Sequence, residues 1–165
     1  MNNRKLGLIV ASVGCAAIVG ASLHSLPKSG YIDHEKQYWH SKGIDPAEAK
    51  RVLRMGQQFS ADFRHKRPTN TEDYNFLVKT AERGGPLACQ VYRSLMTVQD
   101  QTVNAPVLKI ALKSAQSRDP EEVYSAIELL RYSGDHRWKE LALAHASDQS
   151  ELVQLVVKDA QEASR

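Results

Sequence analysis

The sequence has only two cysteines, Cys15 and Cys89, and 7% aromatic residues. Two cysteines cannot build a disulfide framework, and they exclude a multi-cysteine metal site. No two of its histidines have the i, i+4 spacing that places two metal ligands on one helical face. A catalytic signature is also lacking. We therefore predict a non-enzymatic protein with no catalytic, metal or cofactor-binding residues.

The sequence also lacks a large excess of charge of one sign. Its 22 basic and 19 acidic residues give a net charge of +3, and removing Arg4 and Lys5 leaves 20 against 19, or +1. This near-balance argues against a nucleic-acid-binding protein, whose basic face usually dominates the domain. A hydrophobic fraction of 42% and a charged fraction of 25% are typical of a globular fold and argue against extended disorder.

An uncharged run from Leu6 to Leu23 follows the positively charged start of the chain. A helix of this length, at about 1.5 Å per residue, spans roughly 27 Å, just enough for a thin hydrocarbon core. The positive start predicts a cytoplasmic N-terminus and an extracytoplasmic domain, periplasmic in a bacterium. We predict a single-pass signal anchor over residues 1–26, with the bilayer contacted by residues 6–23, and a juxtamembrane linker over residues 27–44.

Two other fates of the N-terminal segment are open. Val19-Gly20-Ala21 is a fair cleavage site, and cleavage after Ala21 would release a secreted periplasmic protein-binding module. Lipid attachment at Cys15 is the third possibility, although Ser12 replaces the aliphatic residue expected there. The mass of the intact purified protein distinguishes the anchor from cleavage.

From residue 45 onward, apolar residues recur at the i, i+3, i+4, i+7 spacing of an amphipathic helix, and this predicts an all-α domain over residues 45–165. Asp45-Pro46 and Asp119-Pro120 are typical helix starts, and Gly84-Gly85 and Gly134 are typical helix ends. The predicted helices cover residues 46–63, 72–83, 86–98, 105–117, 120–133, 136–146 and 149–163.

The helix starts also recur. Asp45, Gly85, Asp119 and Asp148 are separated by 40, 34 and 29 residues, and each full interval holds two helices joined by a turn. Such periods are typical of stacked helical hairpins. The pattern is clearest in three segments: Asp119-Pro120-Glu121-Glu122-Val123, Ala126-Ile127-Glu128-Leu129-Leu130 and Gly134-Asp135.

In these segments the chain resembles the HEAT-like (armadillo-type) helical repeat family, over residues 85–160. The resemblance implies a short right-handed α-solenoid of about three helical hairpins plus a terminal helix, which serves as a binding scaffold and not as an enzyme. The longer turn at residues 64–68 departs from the pattern. A helical bundle without repeats is the alternative.

Two groups of residues are candidates for contact with a membrane surface. Tyr38 and Trp39 have the amphipathic rings that favour the headgroup layer, although packing against the first helix would also explain them. Arg64, Lys66 and Arg67 form a basic cluster that would attract anionic headgroups, unless it is a solvated loop. Residues 24–68 carry nine basic and five acidic groups, whereas residues 69–165 carry eleven and fourteen.

The last predicted helix has apolar residues over more than half of its circumference. In a solenoid, the outer face of the terminal unit is expected to be polar. We therefore predict that a partner protein or a second copy covers Leu152 and Leu155, with burial inside the domain as the alternative. The whole sequence favours a membrane-anchored scaffold that is an accessory or assembly subunit of a larger membrane protein complex.

Overall fold

The computed structural model describes residues 36–98 and 100–165, and for Gln101 and Thr102 it describes the backbone only. This part of the chain falls into two units that are divided after Pro46. In the first unit, residues 36–41 are helical and end at a turn in which the Ile44 amide donates to the Trp39 carbonyl oxygen, at 2.9 Å.

From Pro46 onward the chain folds into helices that are joined by turns and loops. The described residues contain no strand, so the predicted all-α fold is confirmed. The helices are α1 (Pro46–Arg64), α2 (Thr71–Glu82), α3 (Gly85–Leu95), α4 (Gln101–Ser114), α5 (Pro120–Tyr132), α6 (Trp138–Ala144) and α7 (Glu151–Glu162).

The helix boundaries are set by capping. The Asn70 side chain accepts hydrogen bonds from the backbone amides of Glu72 and Asp73, and the Asp119 side chain accepts one from Glu121. These acceptors satisfy amides that have no partner inside the helix. Gly134 ends α5 with a φ of +75°, a conformation that glycine adopts without strain.

The start of α4 differs from the prediction. The predicted helix began at residue 105, whereas α4 begins at Gln101 and contains Pro106. The carboxylate of Asp100 accepts a hydrogen bond from the Val103 amide at 3.1 Å, so an N-terminal cap lies one turn earlier than expected. The helix α6 is shorter than predicted, at seven residues.

Alternate helices pack on one another. α3 contacts α5, and α5 contacts α7, while α2 contacts α4. The central helix α5 also packs against α4 and α6, and it buries every residue from Ser125 to Leu130. This arrangement of successive hairpins fits an α-solenoid.

Among the described residues, no helix combines the length and the hydrophobicity needed to cross a bilayer. The predicted span over residues 6–23, the cleavage site after Ala21 and the lipidation candidate Cys15 all lie outside the described residues.

Candidate functional site

The helices α1 and α3 lie side by side at very close range. The Ser60 hydroxyl donates a hydrogen bond of 2.6 Å to the Ser94 carbonyl oxygen. A Cβ atom at Gly56 would lie 2.4 Å from the Ser94 Cβ, which no real side chain tolerates, so this approach requires a glycine at position 56.

A groove of about 270 Å³ opens beside this contact, and we name it the α1–α3 groove. Its walls are two rows of side chains: Leu53, Gln57, Ser60 and Arg64 from α1, and Gln90, Arg93 and Ser94 from α3 with Thr97 from the turn that follows it. Because the α1 residues are three or four positions apart, they share one face of that helix, and the groove runs along it beside the end of α3.

The groove has cationic walls. The Arg64 Nε donates to the Ser60 carbonyl oxygen at 3.3 Å, and this bond holds the exposed guanidinium against the groove. The Arg93 guanidinium lies 3.3 Å from a carboxylate oxygen of Glu121 on α5. A second hollow over α1 shares Leu53 and Gln57 with the groove, and Lys50, Arg51 and Arg54 also line it.

The structure separates the three cations of the predicted basic cluster. Arg64 is the last residue of α1 and lines the groove. Lys66 and Arg67 lie on the exposed turn that follows, where the Arg67 guanidinium is 3.9 Å from the Asp62 carboxylate. The Arg67 amide donates to the Asp62 carbonyl oxygen, which folds the turn back on the end of α1.

The two aromatic candidates lie together in the first unit. The rings of Tyr38 and Trp39 are in edge-to-face contact, with centroids 5.0 Å apart. Trp39 is 9% exposed, whereas Tyr38 is 39% exposed and has the Lys42 ammonium 5.8 Å from its ring centroid.

The two partner-interface candidates on α7 differ in exposure. Val153, Val156, Val157 and Ala160 form the buried face of the helix. Leu152 is half-buried at the border of that face, and Leu155 exposes 55% of its surface. Among the described large apolar side chains, Leu155 is the most exposed.

The interior contains a polar network that joins three helices. The Tyr92 hydroxyl on α3 lies 2.9 Å from the Ser114 hydroxyl on α4, which donates at 2.7 Å to the Glu122 carboxylate on α5. The Ser117 hydroxyl donates to the other oxygen of that carboxylate, at 3.0 Å. Every member has a partner, so the network fixes the positions of the helices.

Two further side chains with reactive groups, Cys89 and His145, are shielded from solvent to different degrees. Cys89 is buried, and burial raises the pKa of its thiol to about 11, so the nucleophilic thiolate is scarce at neutral pH. His145 is half-buried, and its Nε2 lies 2.8 Å from the Ala115 carbonyl oxygen. The described residues contain no cluster of side chains arranged to hold a metal ion.

No family model, curated protein or solved structure matches this chain. What the molecule does is therefore inferred from its own surfaces, the α1–α3 groove and the exposed part of α7.

The groove could not be predicted from the sequence. Arg64 was predicted to belong to a basic cluster with Lys66 and Arg67, whereas the groove depends on a contact between Gly56 and Ser94, which are distant in sequence. One signal was present: the segment from Gly84 to Val98 contains no acidic residue and carries the basic residue Arg93.

Proposed function

We propose that the protein is a non-enzymatic scaffold that is anchored in a membrane by residues 6–23 and serves as an accessory or assembly subunit of a larger membrane protein complex. Its helical domain binds partner proteins outside the cytoplasm. The packing of alternate helices supports a short right-handed α-solenoid of about three hairpins plus a terminal helix, as in HEAT-like repeats. Such folds present long helical surfaces to their partners.

The observation that carries the proposal is the exposure of Leu155. A leucine that leaves 55% of its surface in water next to the half-buried Leu152 provides an apolar contact on the face of α7 that points away from the core. Complete burial of a leucine side chain contributes roughly 1.5–3 kcal/mol, so covering Leu155 would contribute a substantial part of this amount to association.

Site-specific photocrosslinking in the cell tests the proposal. A photoreactive amino acid at position 155 is expected to form an adduct with a defined membrane protein, or with a second copy of this chain, and mass spectrometry identifies which. Gln161 is the matched control, because it is an exposed residue on the same helix. Equal labelling at positions 155 and 161 would argue against an interface at Leu155.

The intact mass of the cellular protein tests the membrane anchor separately. We expect the full chain in the membrane fraction. A mass that corresponds to cleavage after Ala21, with the protein in the soluble periplasmic fraction, would replace the anchored scaffold by the secreted binding module and leave the Leu155 interface to be judged by crosslinking.

A further inference from the structure

The chemistry of the α1–α3 groove identifies a class of partner, an inference that rests on the proposed scaffold role and adds a second binding surface to it. We propose that the groove binds an acidic segment of a partner protein, laid along α1 and α3 between Leu53 and Arg64.

Charge complementarity supports an acidic occupant. The groove is lined by Arg64 and Arg93, and the adjoining hollow adds Lys50 and Arg54. In water-exposed grooves, cations of this kind attract carboxylates and align them by charge-assisted hydrogen bonds.

The acidic residues of α1 do not neutralise this face. The Glu48 carboxylate is engaged at 2.6 Å by Arg83, which follows α2. The Asp62 carboxylate accepts a hydrogen bond of 2.9 Å from the Gln58 amide and faces Arg67. Neither Glu48 nor Asp62 lines the groove. A carboxylate that enters the groove therefore meets Arg64, which is held by a backbone carbonyl oxygen, and Arg93, for which it competes with Glu121.

The shape of the groove favours a polypeptide segment over a small molecule or a bilayer. The groove of about 270 Å³ adjoins the hollow of about 410 Å³ over α1, so the two form an elongated open surface, whereas small-molecule sites enclose most of their ligand. The groove is an open channel with Ser60 and Ser94 at its base, and a flat headgroup layer would touch its rim and leave this base empty. The side-chain amides of Gln57 and Gln90 on its walls can bond to a peptide backbone.

A binding measurement with a defined probe tests the proposal. The probe is a short fluorescein-labelled peptide of alternating glutamate and glycine, titrated with the full chain in a neutral detergent, and the same peptide with glutamine is the comparison. We expect the glutamate peptide to bind more tightly and its affinity to fall as salt is added, because exposed ion pairs are screened.

Two pairs of variants locate the binding. Arg64→Gln is expected to weaken binding of the glutamate peptide about five-fold, the scale of one partly exposed ion pair. Arg67→Gln removes an equal charge from the neighbouring turn and should change the affinity little. Gln57→Trp fills the groove and should abolish binding, whereas Gln58→Trp places the same ring on the same helix outside the groove.

Four outcomes would overturn the proposal. Equal affinity for the glutamate and glutamine peptides would remove the charge complementarity. Equal loss in Arg64→Gln and Arg67→Gln would show general charge attraction, and equal loss in Gln57→Trp and Gln58→Trp would show that the groove is not the binding site. Binding to phosphatidylglycerol vesicles without binding of the glutamate peptide would assign the same cations to a membrane surface. If circular dichroism shows that Gln57→Trp does not fold, the comparison of Arg64→Gln with Arg67→Gln decides whether the acidic peptide binds in the groove.

The proposals for the groove and for the exposed part of α7 can be refuted independently of each other. Leu155→Asp should leave the affinity for the glutamate peptide unchanged, and Arg64→Gln should leave the crosslinks from position 155 unchanged. A failed peptide experiment with specific crosslinking at position 155 would therefore refute the acidic partner and not the scaffold.

Discussion

The α1–α3 and α5–α7 regions use charged side chains in opposite ways. In the α5–α7 region, Glu128 is 5% exposed, and the Arg131 guanidinium lies 3.1 Å from its carboxylate. Arg131 also contacts the Asp159 carboxylate, and its guanidinium lies 5.3 Å from the centroid of the Trp138 ring. In the α1–α3 region, by contrast, Arg64 is exposed and is held by a backbone carbonyl oxygen.

The comparison separates structural charges from charges that are free to bind. Removing one partner of a buried ion pair strands the other charge in a poorly solvated place, so the cost appears in the free energy of unfolding. Removing an exposed cation has little effect on folding and acts on binding instead. The same type of substitution should therefore lower the free energy of unfolding strongly in the α5–α7 region and only slightly in the α1–α3 region.

The largest effect is expected for Arg131→Met. This substitution keeps much of the side-chain volume and leaves the buried Glu128 carboxylate without its cation, which should lower the free energy of unfolding by about 3 kcal/mol. Arg64→Met is the matched substitution in the other region and should change it by less than about 0.5 kcal/mol. Urea denaturation of both variants measures the difference, and equal losses would contradict the comparison.

A second test contrasts two leucines on one helix. Leu152→Asp places a charge at the border of the buried face of α7, and we expect it to lower the free energy of unfolding by about 2 kcal/mol. Leu155→Asp introduces the same charge at a site that is 55% exposed, so its effect on stability should stay below about 0.5 kcal/mol. Thermal unfolding of both variants measures this, and a large loss for Leu155→Asp would place that residue in the internal core.

The sequence predicted the helices well because their signals are local. A capping side chain and its free amides lie within one turn, as at Asp119, and a glycine stop such as Gly134 is read from a single position. The start of α4 was misplaced because the apolar spacing alone was used, and the cap at Asp100 was not recognised.

The α1–α3 groove and the ionic cluster of Glu128, Arg131 and Asp159 could not be predicted in the same way, because they depend on residues far apart in the chain. Gly56 meets Ser94, and Arg131 meets Asp159, only after the helices have packed. For Glu128 a signal was available: it lies inside a nearly continuous apolar run of α5, and a helix that is apolar all round is usually buried. This pattern would have predicted a buried carboxylate that needs a partner.

A third test addresses the cap of the central helix. Asp119→Ala removes the acceptor that lies 2.9 Å from the Glu121 amide, and we expect the free energy of unfolding to fall by about 1 kcal/mol. Asp119→Asn keeps an acceptor and should recover most of this loss. Full stability of Asp119→Ala in urea denaturation would show that the cap does not determine where α5 begins.

The smallest effect is expected for the titration of Glu128. Burial raises the pKa of this carboxyl above its ordinary value of about 4.3, although Arg131 acts to lower it and Asp159 to raise it. Between the ordinary and the raised pKa the folded protein binds more protons than the unfolded chain, so the contribution of Glu128 to stability falls as the pH rises through that window. Glu128→Gln keeps the shape of the side chain but has no ionisable carboxyl group, so it serves as the reference. The stability of the parent relative to Glu128→Gln, from urea denaturation between about pH 4 and pH 7, should therefore decrease with rising pH and then become constant. An increase with pH would mean that attraction to Arg131 outweighs burial, and the ionic cluster would then stabilise the fold by its charge as well as by its packing.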